Sequence, residues 1–582
     1  MVAFSRKHPF HLLVAFMGAA AFAFAFSAEP TILPIDHAKF LAGQRFDFMV
    51  EVQDATVTGI SASVNGKPAE EFFGKKGDFK NADGVASYRI NQVAFPATGE
   101  IAVETVAVSG DRKNSALVKY AVTLEKSPAR AKNVILFIGD GLSLPVRDMA
   151  RILSKGIRKG RYNDVLEMEK LANTALVTTS GYDSLVTDSA NAASAYATGH
   201  KSVVNAMGVY ESLDKDPLAH PKVENIVEIV KRTRGMAAGL VTTSNITDAT
   251  PAAMVAHTRR RAEQNFIAQT MLDPEHSPEV IFGGGSRHFL PKSTPGSRRA
   301  DERNLVEEFK AKGYAFTGNR TELKNAVGDK ILGLFQLDNM DVYLDREVLK
   351  NPKTLGHFTD QPHLMEMTEK AIELLSRNPN GFFLMVEGAC IDKQLHAMDW
   401  QRAVYDTIEF DKAVGVGRKF AAKNSDTLII VVADHSHGAS ITGTYHERDG
   451  KTGREAVRTY AAAGFPTFED KNGDGFPDNP DAEVTLAVQF ANHPDYKANY
   501  RLKPVPESPA IMDGKKAVAN PESKGEPYPG NIPFDESSEV HSADSVILNA
   551  DGPGDDFFRG VLDNTDVFHG MVRALGIDNA AK

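Results

Sequence analysis

At 582 residues, with 42% hydrophobic and 24% charged side chains, the chain has the composition of an ordinary globular protein, long enough for two or more domains with substantial cores. A formal net charge of −10 speaks against a broad nucleic-acid binder and would repel an anionic ligand unless a local feature reverses the field. The single cysteine, Cys390, excludes a disulfide within the chain, so stability has to come from packing or from bound ions, and a small buried thiol is its expected state.

Residues 1–28 read as a secretory signal peptide. Arg6, Lys7 and His8 form a basic start, an apolar run extends from Phe10 to Phe26, and small residues surround Ser27 and Ala28. A membrane anchor is the alternative, but the run is short for a spanning helix and no later segment approaches that length. The mature chain is expected to be exported, to a periplasm or the medium, with no membrane span.

From 29 to 126 short alternating segments such as "RFDFMVEV" and "ALVKYAVTL" are separated by Gly, Asn, Asp and Lys, and "VNGK" (64–67) signals a hairpin. This predicts a small all-β domain, an immunoglobulin-like sandwich, with nothing chemical in it. A polar link, "EKSPARAKN", follows.

Beyond it, apolar runs at 134–139, 236–243, 280–285, 382–388 and 427–434 alternate with amphipathic patterns such as "NIVEIVKRTRG". They predict an α/β domain built on a mainly parallel sheet flanked by helices. Asp140 follows the first run, Asp248 and Thr250 come soon after the second, Glu387 closes the fourth ahead of Asp392 and His396, and Asp434, His435 and His437 follow the last. In open α/β sheets ligands bind beyond the carboxyl ends of strands, so four strands delivering such residues to one edge make a site.

Asp392 and His396 are four apart and share a helix face, where they could hold one metal, although an isolated pair of this kind is commonly a salt bridge. "ADHSH" (433–437) could be a hydrogen-bonded turn, but a carboxylate at the end of an apolar strand calls for a cation. With Asp140, Asp434 and His435 form a mixed oxygen and nitrogen set of the type zinc accepts, while Asp140, Thr250 and Glu387 form an all-oxygen set suited to magnesium. Asp140, Glu387, Asp392 and Asp434 bring about −4 to that edge, and three divalent cations would bring about +6, a surplus that would admit phosphate.

"VTDSANAASAYATG" (186–199) starts a helix with Ser189 beside its cap, Asp188. No G-x-S-x-G turn exists in the chain, so a nucleophilic Ser189 would need metal activation in place of a histidine base. In "PAAMVAHTRRRAE" (251–263) Arg259 and Arg260 read as a solvated basic helix face.

Together "IGDG" (138–141), the Ser189 segment, "TDATPAAMVAHTRRR" (247–261), "VEGACIDKQLH" (386–396), "VVADHSHG" (431–438) and "VHS" (540–542) resemble the motifs of the alkaline phosphatase family, in that family's order over about 131–582. The resemblance implies Ser189 as a nucleophile that becomes phosphoserine and Arg261 as the phosphate clamp. It also implies one zinc site at Asp392, His396 and His541 and a second at Asp140, Asp434 and His435. A magnesium would be held by Asp140, Thr250 and Glu387, with Asp248 direct or through water. Lys393 and Asp248 are residue types of the bacterial branch, and His437 would orient a ligand. The implied reaction is hydrolysis of small phosphate monoesters, with a homodimer compatible with the chain. A phosphodiesterase or sulfatase of the same superfamily would share the zinc edge, but Arg261 and the Thr250/Glu387 set favour monoesters. A non-catalytic secreted binding protein would be expected to have lost the nucleophile or ligands.

An insertion at about 445–538 carries "DKNGDGFPDNPD". Asp470, Asn472, Asp474, Phe476, Asp478 and Asp481 fall at positions 1, 3, 5, 7, 9 and 12 of a calcium-type loop, with Gly475 at position 6. Flanking prolines oppose the helices of an EF-hand, and a plain acidic turn is the alternative.

Overall fold

The strand Asn133–Gly139 is buried along its whole length, as a run apolar on both faces requires, and lies near the middle of a ten-stranded sheet. In this computed structural model the described residues are 29–577, except 128–129, 276, 351, 447, 452–455, 491–509, 514–515 and 520–537. The signal peptide expected at 1–28 lies outside them. From one edge the sheet runs Ala315–Thr317, Ile331–Leu334, Val280–Gly284, Ala237–Asn245, Phe382–Gly388, Asn133–Gly139, Thr427–Ala433, Val546–Asp551, Asn173–Thr178 and Gly560–Asp563. Neighbours are parallel except in the two pairings made by Val546–Asp551. The fold is thus the mainly parallel α/β arrangement expected.

Helices Leu364–Leu375 and Trp400–Ala421 pack on the central strands, and Ile226–Arg234 packs against Ala237–Asn245. That last helix ends where its sequence says it should. Asn225 and Glu228 form a capping box at its start, and Gly235 takes the left-handed conformation at its end. No helix among the described residues is long and apolar enough to cross a membrane.

Register aligns the strand ends. Ile138 pairs with Glu387, Gly139 with both Gly388 and Ala433, and Thr242 with Glu387, so Asp140, Glu387 and Asp434 emerge side by side. Gly141 makes the turn after Asp140 at φ +65, and a side chain there would meet Asp392 at 3.2 Å. Its N–H donates instead to Asp434 Oδ1 at 3.1 Å.

Before this unit, a four-stranded and a five-stranded sheet, both largely antiparallel, enclose Phe40, Phe46, Phe48, Phe95 and Tyr120. "VNGK" is the tight hairpin expected, with Asn65 and Gly66 both at positive φ. The β-domain is fastened to the α/β unit by Tyr210 and Val223, which join its apolar cluster, and by polar contacts. Gln44 Nε2 donates to the carbonyls of Thr198 (2.7 Å) and Glu224 (3.1 Å), and the Glu51 carboxylate accepts from Leu213 N–H.

Strand Ala439–His446 leads into the insertion and pairs with Val484–Phe490 inside it. No helix flanks the 470–481 loop, as its prolines predict. Phe476 anchors the loop, stacking on Tyr343 at 3.7 Å between ring centroids.

Candidate catalytic centre at the carboxyl edge of the sheet

Helix Ser189–Thr198 is buried throughout, its run of alanines allowing close packing, and the Asp188 carboxylate accepts from Asn191 N–H to close its first turn. Ser189 therefore sits in the first turn of a helix whose amino end faces the carboxyl edge of the sheet. Its Oγ lies 3.3 Å from His435 Nε2 and 3.4 Å from Asp140 Oδ1. The Arg261 guanidinium binds the residue before Ser189, donating from Nη1 to Asp188 Oδ2 at 3.2 Å, and donates from Nη2 to Asp248 Oδ1 at 2.8 Å.

The four histidines divide by what their Nδ1 atoms meet. In His396, His435 and His541, Nδ1 faces the carbonyls of Glu539 (2.6 Å), Ser436 (3.3 Å) and Thr187 (2.8 Å), so it carries the proton and Nε2 presents a lone pair. In His437, Nδ1 accepts from Gly438 N–H at 3.1 Å, which leaves the proton on Nε2, 3.6 Å from Asp392 Oδ1. Burial, against the pull of Asp392 and helped by the neighbouring imidazoles, holds the His437 pKa down at about 3, so the ring is neutral. Nε2 atoms of His396 and His541 approach Asp392 Oδ1 to 3.4 and 3.3 Å, while His435 Nε2 is 3.3 Å from Asp140 Oδ1 and 3.4 Å from Asp434 Oδ2.

A single ammonium serves three carboxylates, with Lys393 Nζ 3.3 Å from Asp392, 3.4 Å from Asp140 and 3.5 Å from Asp248. Burial opposes its charge, but those acids hold its pKa well above the ordinary lysine value. Burial, then Asp140, pushes the Glu387 carboxyl well up, even though Thr242 Oγ1 donates to it at 2.5 Å. Asp434 is pushed up by burial, Asp140 and Asp392. Asp140 and Asp392 go the other way: burial, and at Asp140 the charge of Asp392, would raise them, but the Lys393 ammonium works against that and both are held low.

This edge is therefore short of positive charge. Asp392 Oδ1, Asp434 Oδ2 and His437 Nε2 are buried without a hydrogen-bond partner. Ligand atoms of three or more His, Cys, Asp or Glu side chains converge within 4.8 Å at two places among the described residues, at Asp392/His396/His437/His541 and at Asp140/Asp392/His435. Mixed carboxylate and imidazole donors with unmet lone pairs fit divalent cations.

Thr250 is buried on helix Ala249–Ala253, which packs against the strand Phe382–Gly388 that carries Glu387. The loop 470–481 is not one of the two convergences; Asp470 instead accepts from the N–H groups of Gly473, Asp474 and Gly475. Arg259 and Arg260 correct the expectation of a solvated helix face. The helix ends at Ala253, and both lie in the loop beyond it, Arg259 paired with Glu211 at 2.6 Å. Two contributors escaped sequence reasoning, Thr242 as the donor to Glu387 and Asp188 as a partner of Arg261 besides being a cap. Cys390 is buried and its thiol pKa is pushed well up by burial, as an inert thiol requires.

A family model described as alkaline phosphatase matches residues 131–577, and one described as a PhoA-like N-terminal domain matches 30–94. Alkaline phosphatase 4 of Bacillus subtilis (strain 168) is 31% identical over 448 residues, covering 76% of this chain and 88% of that protein. The alkaline phosphatase of Gadus morhua is 30% identical over 491 residues, covering 78% and 93%. Among solved structures, Thermus thermophilus alkaline phosphatase superposes with a TM-score of 0.55 at 25% identity, over 78% of this chain and 93% of that one. Fold and sequence agree on the class, an α/β enzyme that hydrolyses phosphate monoesters. The chain belongs to the alkaline phosphatase family.

Proposed function

We propose that the chain hydrolyses phosphate monoesters through a phosphoserine on Ser189. The observation that carries this reading is the Ser189 hydroxyl, buried at a helix start within 3.4 Å of His435 and Asp140, with the preceding residue, Asp188, bound to the Arg261 guanidinium. Asp392, His396 and His541 would hold one zinc, and Asp140, Asp434 and His435 a second. Asp140, Thr250 and Glu387, with Asp248, would hold a magnesium. The tautomers support this division, because His437 carries its proton on Nε2, which faces Asp392 Oδ1 at 3.6 Å, while the other three rings offer lone pairs. Divalent cations bound there supply an acidified serine hydroxyl and neutralise the charge of the departing alkoxide.

Ser189 Oγ, giving up its proton to solvent, attacks phosphorus in line with the ester oxygen, the bond from phosphorus to that oxygen breaks, and the alcohol departs with a proton from solvent. Water then attacks the phosphorus of phosphoserine, its oxygen stays with the inorganic phosphate released, the bond from phosphorus to Oγ breaks, and Oγ takes up a proton to restore the hydroxyl. Arg261, held between Asp188 and Asp248, grips two phosphate oxygens throughout.

Because that grip acts on ground state and transition state alike, Arg261→Ala is expected to lower kcat/KM by about 100-fold or more and to weaken inhibition by inorganic phosphate. Steady-state kinetics with phosphate as inhibitor checks both. An unchanged phosphate inhibition constant would remove Arg261 from the site.

The expected calcium at 470–481 belongs to this reading as a stabilising ion. Phe476 ties the loop to the core, so ordering the loop should raise the melting temperature of the whole chain with little effect on turnover. Asp474→Ala should remove the calcium-dependent rise and spare zinc binding. Calorimetry that detects no calcium binding to wild type would leave an acidic turn.

A further inference from the structure

We infer that the cavity beside Arg261 is a subsite for a second anionic group, a phosphate or carboxylate carried by the alcohol that the enzyme releases. The inference rests on the monoesterase reading of Ser189. The cavity has a volume of about 570 Å³, with Arg259, Arg260 and Arg261 on one side and the loop from Glu211 to His220 on the other.

Its position follows from a short chain of contacts. Asn205 lines the cavity, its carbonyl accepts from Arg261 N–H at 2.8 Å, and its own N–H donates to Asp188 Oδ1 at 3.2 Å. Asp188 also binds the Arg261 side chain and immediately precedes Ser189. The cavity and the nucleophile are therefore separated by little more than one carboxylate.

Its lining is richer in cations than a chain of formal net charge −10 would lead one to expect. Arg259, Arg260, Arg261 and Lys215 line it with Glu211 and Asp214, but Arg261 is held by Asp188 and Asp248 and Lys215 pairs with Asp83 at 3.5 Å, which leaves Arg260 as the cation to be accounted for. Glu211 is taken by Arg259, and Asp214 turns back to accept from Asp216 N–H at 2.9 Å. Arg260 differs from its neighbours. Its backbone is pinned by the Thr258 hydroxyl and by Glu263 N–H, its side chain is exposed, and its guanidinium bonds to no described residue. A rigid backbone carrying an uncommitted planar donor suits recognition of an anion.

The opposite wall gives the β-domain a task. Glu51 binds Leu213 N–H with both carboxylate oxygens, at 3.0 and 2.9 Å, and Asp47 Oδ2 accepts from Lys222 N–H at 3.2 Å. Arg89 donates to the carbonyl of Ala219. The first domain thus holds the loop that faces the three arginines.

The test compares matched esters on the metal-loaded full chain at low salt: 3-hydroxypropyl phosphate, propane-1,3-diyl bisphosphate and 4-(phosphonooxy)butanoate. Wild type should favour one or both dianionic-tailed or carboxylate-tailed esters in kcat/KM by about tenfold over the neutral one, beyond the statistical advantage of two equivalent ends, and the favoured ester identifies the group. Arg260→Ala should abolish the preference through KM, change 3-hydroxypropyl phosphate less than about twofold, and be partly rescued by Arg260→Lys. Equal kcat/KM for all three esters in wild type, or a preference that survives Arg260→Ala, overturns the subsite. A protein inactive on every ester overturns the monoesterase reading and the subsite with it.

Discussion

Ser189→Ala is expected to abolish sustained turnover of a chromogenic phosphate monoester while leaving zinc content unchanged. The loss should be at least about four orders of magnitude in kcat, as for removal of other serine nucleophiles, because the oxygen that forms the covalent bond is gone. Zinc should remain because the carboxylates and imidazoles make up the ligand sets without the serine. Ser189 Oγ is one neighbour of His435 Nε2, whereas Asp140 and Asp434 approach the same nitrogen at 3.3 and 3.4 Å. Alanine at the first position also preserves the helix, whose cap is Asp188. The measurement pairs a rate assay with metal analysis, and acid quenching with labelled substrate should trap phosphoserine in wild type alone. Near-normal sustained turnover by the alanine variant would falsify the covalent mechanism.

Metal removal should destabilise the chain more strongly as pH rises. Without cations the folded state raises the pKa of Asp434 and Glu387, through burial first and like-charged neighbours second. In the unfolded chain these groups are already ionised above their ordinary values, so between the unfolded and folded pKa the native state binds more protons. Stability contributed by these groups therefore falls as pH rises through that window. Asp140 and Asp392, with lowered pKa values, titrate below it, and Lys393 titrates above it. Bound divalent ions pair with the deprotonated carboxylates and reverse the trend. The rise in melting temperature on adding zinc and magnesium to chelated protein should thus be larger near pH 9 than near pH 5, with part of the difference reflecting competition of protons for imidazole and carboxylate ligands. A metal-induced rise that is the same at both ends of the range would reject this electrostatic account.

Sequence by itself determined much of the framework, because the signals involved are local. Runs apolar on both faces, such as Val134 to Ile138, have nowhere to go but the middle of a covered sheet, and the acids that follow them must emerge at its edge. The Asn65-Gly66 hairpin and the Asn225/Glu228 and Gly235 caps are equally local, since the residues that choose the conformation are those that adopt it. Asp140, Asp434 and His435 could be grouped for the same reason, each being within two residues of a strand end. Tertiary structure decided what depends on distant partners. Strand Val546–Asp551 runs antiparallel between Thr427–Ala433 and Asn173–Thr178, an order set by contacts across hundreds of residues rather than by its own pattern. The proton of His437 is placed by Gly438 N–H, and those of His396 and His541 by carbonyls of Glu539 and Thr187. Arg259 and Arg260 could be read as a helix face only while the end of their helix was unknown. With the chain turning out of helix after Ala253, they meet the loop that the β-domain holds in place, and a basic run becomes the wall of a cavity.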